Sequence, residues 1–177
     1  MPPKEPTILF EDCRIMFRNF EGRATQYNRD GDRNFCVLLD PEMADQLSED
    51  GWNVKSLKPR DPDSDPQPYL QVSVGYKYRP PKIVLITHRG RNDLPEEMIG
   101  MIDWIDIAKV DLIVRPFDWE VNGKTGKKAY VKTLFITVAE DALELKYADI
   151  REIGAEAEFV EGEVLGEVVH NQRAIGS

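Results

Sequence analysis

Two long strand-like runs joined through an Asn-Gly pair constrain this chain more than any other feature. KVDLIVRPFDWEV (109–121) and KKAYVKTLFITV (127–138) are dense in β-branched and aromatic residues, with NGKTG between them. Asn122-Gly123 supplies the positive φ that a hairpin turn requires. Much of the chain follows the same grain. TILFEDCRIMFRNF (7–20) reads as one long strand, and RNFCVLL (33–39) as a second, with Asp30-Gly31 as a hairpin signal in the linker. Trp52, Val54 and Leu57 mark a third strand. YLQVSVGYKY (69–78) and KIVLITHRG (82–90) are two more, divided by Pro80-Pro81.

The helices are few and short. Asp40 is placed to cap a helix over 41–51, with Pro41 as its first residue and Gly51 as its stop. LPEEMIGMID (94–103) predicts another, with Asp93 as its cap. PRDPDSDPQP (59–68) holds four prolines and three aspartates and predicts a mobile loop. Six or seven strands, no internal repeat and no βαβ alternation point to a mainly β, predominantly antiparallel fold, a small barrel or sandwich. A five-stranded Greek-key barrel of the OB type, with short helices and enlarged loops, fits the length. One domain is expected over 1–150, where LELKYADI closes the ordered part. A flexible acidic tail is expected over 151–177, with one weak strand or docking motif around Phe159-Val160 or Val164-Leu165.

Charge refines the picture. The chain of 177 residues has a net charge of −9, which taken alone argues against nucleic acid. The average hides a split: residues 1–139 carry 20 basic and 22 acidic side chains, residues 140–177 carry 3 and 10. A nearly neutral body leaves room for a basic face. Basic residues cluster in three stretches. Lys77, Arg79, Lys82, Arg89 and Arg91 occupy 77–91 with no carboxylate, and His88 lies among them. Lys124, Lys127, Lys128 and Lys132 surround the hairpin turn. Arg14, Arg18, Arg23, Arg29 and Arg33 follow the N-terminal hairpin. No apolar run approaches the ~18 residues of a membrane span. The N-terminus has no secretory pattern. Cys13 and Cys36 have no Cys or His at metal spacing and read as reduced, packed thiols of a cytoplasmic protein.

The motifs of catalysis are missing. NGKTG sits in a hairpin with no helix after it, so it offers no phosphate-binding helix end. His88 and His170 do not make a triad or metal site. Asp103, Asp106 and Asp111 are the one carboxylate group that would suit a metal-dependent nuclease, and DWIDIAKVD reads better as a helix end with solvated aspartates. Neither catalytic residues, metal nor cofactor is expected.

A binding surface is better supported. Tyr76 and Tyr78 continue the apolar alternation Leu70, Val72, Val74 and reach the rim. Lys128, Tyr130 and Lys132 share a face that Leu134, Ile136 and Val138 continue. Arg115, Phe117 and Trp119 share a face on the preceding strand, and Tyr27 lies between Arg23 and Arg29. Rings interleaved with cations on a β surface suit an unpaired nucleic-acid strand, whose bases stack at ~1–3 kcal/mol each. No recognition helix or zinc finger is present to read a duplex groove.

NRDGDRNFCVLL, GWNVKSLKP, YLQVSVGYKYRPPKIVLIT and VDLIVRPFDWEVNGKTGKKAYVKTLFITV with LELKYADI resemble a family of bacteriophage-encoded single-stranded-DNA-binding proteins. GWNVK (51–55) and RPFDWEVNGKTGKKAY (115–130) carry most of the likeness, which spans roughly residues 8–150. The resemblance implies an OB-like barrel that coats and protects exposed strands in phage DNA replication or recombination, without sequence specificity. It also implies an acidic tail that competes with DNA and engages replication or recombination proteins. The end of this chain, Arg173-Ala-Ile-Gly-Ser177, departs from the usual carboxylate-rich tip. The expected interface is Arg18, Arg23, Arg29, Arg33, Lys77, Arg79, Lys82, Arg89, Arg91, Lys124, Lys127, Lys128 and Lys132 on phosphates, with Tyr27, Tyr76, Tyr78, Trp119 and Tyr130 stacking on bases. A homo-oligomer is compatible with this reading. The rivals are an adaptor β domain with no affinity for nucleic acid, in which the cations scatter, and the nuclease.

Overall fold

In the computed structural model, residues 6–147 and 150 are described. In chain order the elements are β1 (Ile8–Cys13), β2 (Ile15–Asn19), β3 (Arg33–Leu38), α1 (Pro41–Glu49), β4 (Val54–Leu57), β5 (Gln67–Val74), β6 (Lys82–Thr87), β7 (Gly90–Asp93), a 3-10 helix (Glu96–Asp103), β8 (Ile107–Val121), β9 (Lys124–Val138) and α2 (Ala142–Lys146). Met1–Glu140 form one unit and Asp141–Ser177 a second. Within the second unit, the Lys146 ammonium sits 5.4 Å from the Tyr147 ring centre. The segment expected to be an acidic tail, 151–177, lies outside the described residues.

The β8–β9 hairpin is the spine. It pairs antiparallel from Ile107↔Val138 to Val121↔Lys124. Its two-residue turn has φ of 52° at Asn122 and 79° at Gly123, the conformation the Asn-Gly pair predicts. β1 lies antiparallel against β8. The other side of β9 is shared: β5 pairs with it at Val72↔Ala129 and Ser73↔Tyr130, and β6 from Lys82↔Thr133 to Ile86↔Thr137. Both of these pairings are parallel, so the sheet is mixed, within the predominantly antiparallel arrangement expected: the other strand pairings are antiparallel. β3 and then β2 extend the sheet beyond β5, β4 also pairs β5, and β7 pairs β6. The pairing path β1-β8-β9-β5-β3-β2 leaves its two ends unpaired with each other, so the sheet is open.

Residues 7–20 are two strands, not one. β1 belongs to β8 and β2 to β3. Between them the Asp12 N–H donates to Asp111 Oδ1 at 2.8 Å and Asp12 takes φ 49°. That corner carries the chain from one end of the pairing path to the other and breaks the alternation of residues 7–20. The short strand β7 was not foreseen, because its residues Gly90–Asp93 are all exposed and show no apolar pattern. Residues 96–103 form a 3-10 helix headed by Pro95 with no side-chain cap, and Asp93 belongs to β7 instead of capping it. Helix α1 follows its sequence signals: Asp40 Oδ1 accepts from the Met43 N–H at 2.8 Å, Pro41 is its first residue, and Gly51 follows at φ 94°. β5 begins at Gln67, so the proline-rich loop is shorter than 59–68.

The core lies on one side of the spine. Phe20 and Phe35 stack at 5.0 Å, and Val37, Leu70, Val72, Ile99, Ile102, Leu112, Leu134 and Ile136 are wholly buried beside them. One irregularity in β9 sets the direction of its side chains. The register steps from Ile113↔Thr133 to Val114↔Val131, which leaves Lys132 as an extra residue. Ala129 and Val131 are buried before this bulge, Leu134 and Ile136 after it. Tyr130 and Leu134 therefore face opposite sides, and the single face expected for Lys128 through Val138 does not exist.

Candidate nucleic-acid interface

A groove of about 970 Å³ collects side chains from three segments far apart in the sequence. The loop between β2 and β3 contributes Tyr27, Arg29 and Arg33. The end of β5 and the residues after it contribute Gln71, Ser73, Tyr76 and Lys77. The β8–β9 hairpin contributes Trp119, Lys127, Lys128 and Tyr130. Four rings and five cations thus share one trough with two carboxylates, Asp32 and Glu96.

Each wall has a local cause. The long loop is tied by asparagines. Asn19 Oδ1 accepts from the N–H groups of Gly22 and Arg23, and Asn28 Nδ2 donates to the carbonyls of Arg23 and Asp32 at 2.9 and 2.8 Å. The loop is pinched where the Gly31 N–H reaches the Gly22 carbonyl at 2.7 Å. Tyr27 is left at the tip, 90% exposed. On the hairpin, Trp119 sits opposite Gly126, and a Cβ on Gly126 would lie 2.6 Å from the indole. The ring is seated on bare backbone. Gly75 plays the same part for Tyr130, whose ring edge would be 3.2 Å from an added Cβ. Phe117 meets the Tyr130 ring edge-on at 6.0 Å.

The cations are set against rings. Lys128 Nζ lies 5.2 Å from the Tyr130 centre, Lys127 Nζ 5.8 Å from Trp52, Lys77 Nζ 5.5 Å from Tyr78, and the Arg33 guanidinium 5.5 Å from Tyr76. Arg29 pairs with Asp32 at 3.1 Å and Arg33 with Glu96 at 2.7 Å. Burial pushes the Tyr76 phenol up from its ordinary pKa, with Arg33 opposing, so the hydroxyl keeps its proton.

Nine of the residues expected to bind line the groove: Tyr27, Arg29, Arg33, Tyr76, Lys77, Trp119, Lys127, Lys128 and Tyr130. The others lie outside its lining. Arg18 Nη1 donates to the carbonyls of Ile102 and Ile105 at 2.7 and 2.8 Å, which fastens β2 to the 3-10 helix. Arg23 pairs with Asp103 at 3.5 Å and lies over Trp104. Arg91 lies over Phe135. The Arg79 carbonyl accepts from Arg115 at 2.5 Å. Lys124 is at the hairpin turn, Lys132 at the bulge, Lys82 at the start of β6, and Tyr78 and Arg89 on exposed loops. Beside Arg89, the His88 N–H donates to Glu140 at 2.7 Å, and hydrogen bonding from His88 holds the Glu140 carboxyl below its usual pKa. Tyr76 and Tyr78 do not extend the alternation of β5, which ends at Val74.

The three aspartates of the nuclease reading do not gather. The Asp103 side chain is 1% exposed and accepts from the N–H groups of Phe20 and Glu21. Asp111 accepts from Asp12. No group of three or more His, Cys, Asp or Glu suited to a metal occurs among the described residues. No described helix is long and apolar enough to cross a membrane. Asn28, Asn53, Gln71 and the two seating glycines were not foreseen; Asn and Gly are common turn residues, and nothing in their spacing marks these as walls of a groove.

The family model described as "Putative phage ssDNA-binding domain" matches residues 3–175. No curated protein matches the chain. Among solved structures, a C-terminal truncation of the single-stranded DNA-binding protein from bacteriophage Enc34 is similar with a TM-score of 0.50 at 9% identity, covering 76% of this chain and 87% of that one. The same phage protein in complex with ssDNA gives 0.47 at 10% identity, covering 76% and 88%. Gp2.5, a single-stranded DNA binding protein encoded by bacteriophage T7, gives 0.36 at 10% identity, covering 88% and 100%. The first of these likenesses supports an OB-like fold.

Proposed function

We infer how DNA is held by this chain, which belongs to the phage single-stranded-DNA-binding domain family: an unpaired strand lies in the groove, its bases on the rings and its phosphates on the lysines and arginines. One observation carries the reading. Tyr27, Tyr76, Trp119 and Tyr130 converge with Arg29, Arg33, Lys77, Lys127 and Lys128, although the sequence separates them by up to a hundred residues or so. A duplex hides its base faces, so this chemistry selects single strands. Stacking accepts every base, so binding is tolerant of sequence. Lys124 and Lys132 on the hairpin extend the cationic path beyond the groove.

In a phage-infected cell such a protein coats and protects strands exposed during replication or recombination in the host cytoplasm. The acidic segment 151–177 is the part suited by charge to compete with DNA and to engage replication or recombination proteins. The test is a titration of the full chain with an oligothymidylate and with a matched duplex, reading tryptophan emission and fluorescence anisotropy. Trp52 is 6% exposed and Trp104 lies outside the groove, so quenching should come mainly from Trp119. Trp119→Phe should lose most of the quench while retaining most of the anisotropy change. No change with the single strand, or equal affinity for the duplex, refutes the reading.

A further inference from the structure

One polar part of the groove is incomplete. Among the described side chains, two buried polar atoms have no hydrogen-bond partner, Arg33 Nε and the Tyr76 hydroxyl. They belong to neighbours: the Arg33 guanidinium lies 5.5 Å from the Tyr76 ring centre, and both residues line the groove. Buried donors are normally satisfied, and these two belong to residues that line the trough, where an entering acceptor would complete them. The same guanidinium already holds one carboxylate oxygen, because Arg33 Nη1 meets Glu96 Oε2 at 2.7 Å. Glu96 stands in the first turn of the 3-10 helix with half of its side chain in solvent. A carboxylate in that position has the charge and acceptor geometry of a phosphate oxygen.

We propose that Arg33 and Tyr76 form a phosphodiester subsite of the groove, and that Glu96 occupies the guanidinium until a strand displaces it. The proposal rests on the single-strand reading above and names one contact within it. On binding, a phosphate oxygen takes the Arg33 fork and accepts from the Tyr76 hydroxyl, and Glu96 swings out to water. The exchange trades one anion for another at Arg33, so wild-type protein releases one counterion fewer than its arginines and lysines suggest. Glu96 thereby weakens non-productive binding of small anions and leaves a polyvalent strand able to win.

The experiment measures affinity of the full chain for oligothymidylate across a salt series. Glu96→Gln should tighten binding about two- to fivefold at low salt, the scale of one partly exposed ion pair. Its log K against log salt should steepen by about 0.7, one added phosphate contact on a single strand. Glu97→Gln, one residue away and also acidic, should change both far less. Equal effects of the two would reduce Glu96 to a share of the general field and overturn the proposal. In an Arg33→Gln background the Glu96→Gln gain should vanish, and a persisting gain overturns it equally. Tyr76→Phe keeps the ring and removes the hydroxyl. It should weaken binding roughly tenfold, as loss of a hydrogen bond to a charged group does. The free protein should melt at the same temperature or higher, since a buried unpartnered group has gone. Lowered thermal stability with unchanged affinity would make Tyr76 a structural residue only and sink its part in the subsite. An abasic oligomer with the same backbone should retain the Glu96→Gln gain, and its loss there would assign the acceptor to a base. Failure of wild-type protein to bind oligothymidylate refutes the function; binding with Glu96→Gln unchanged refutes this inference alone.

Discussion

At the scale of single residues, the proposed interface depends on an atom that glycine lacks. Gly126 has no Cβ, and the Trp119 indole fills the space one would take, 2.6 Å from its nearest carbon. Glycine is normally a weak strand residue that alanine improves. Here Gly126→Ala should force the indole off its seat. Binding to oligothymidylate should weaken by ~1–3 kcal/mol, the scale of one stacked base, read by anisotropy, while the melting temperature moves little because Trp119 lies on the surface. Unchanged affinity would mean that the indole is not a stacking platform. The rings and cations were legible in the sequence as residue types. The glycines that seat them were not, because Gly126 within NGKTG looks like an ordinary turn residue. The cysteines make a second prediction. Burial, the largest cause at both, pushes the Cys13 and Cys36 thiols up to about 11 from a usual value of 9.0. Neutral thiols are thus favoured in the folded state. Their contribution to stability is fully present below pH 9.0 and is lost as pH rises through about 11. At pH 8 both should react with iodoacetamide far more slowly in native protein than in urea, and equal rates would show that they are not packed.

At the scale of elements, the bulge at Lys132 decides which residues of β9 face the groove and which face the core. Before it, Ala129 and Val131 point inward and leave Lys128 and Tyr130 on the groove; after it, Leu134 and Ile136 point inward. A strand alternates strictly, so one inserted residue inverts everything beyond it. Deleting Lys132 takes out the extra residue, so Val131, Thr133 and Leu134 alternate without a break and both halves of β9 keep their sides; what goes is the bend and added twist of the bulge. Stability by urea unfolding should therefore fall by less than the ~3 kcal/mol of removing a large side chain from a core, and a larger loss would show that the bend itself holds the core; deleting Phe135 instead sets Leu134 against Ile136 and should exceed that figure. This element shows where pattern reading stops. The strand and its turn were legible from composition and from Asn122-Gly123. The bulge was not, because KKAYVKTLFITV presents an acceptable alternation in either phase over each half. The N-terminal segment failed in the complementary way: residues 7–20 carry one β-rich composition but serve two partners, β8 and β3. The parallel pairings of β9 with β5 and β6 are also long-range, and no local pattern records them.

At the scale of the whole molecule, the question is how a chain of net charge −9 attracts a polyanion. The answer lies in placement. Salt screens charges beyond ~8 Å at physiological ionic strength, so a strand in the groove responds chiefly to the charges that line it. Of the five cations there, Arg29 and Arg33 are paired with Asp32 and Glu96, whereas Lys77, Lys127 and Lys128 have no carboxylate partner among the described residues. Each phosphate contact on a single strand adds ~0.7 to the slope of log K against log salt. Three lysines give a slope near −2; Arg29 and Arg33 exchange one anion for another, so five cations reach roughly −3.5 only where Asp32 and Glu96 are both neutralised. The residues 154–177 hold five carboxylates and one arginine. If they compete for the groove, removing them should tighten binding of oligothymidylate at low salt and leave the affinity nearly unchanged at ~1 M, where screening falls to ~3 Å. A gain that survived at high salt would require contacts other than charge, and no gain at low salt would remove this segment from the competition. A slope shallower than −1 would mean fewer than two phosphate contacts in all, with the strand held chiefly by its bases; a slope left unchanged when Lys77, Lys127 and Lys128 are replaced by glutamine would move the path of the strand to the cations of β6, β7 and the hairpin tip.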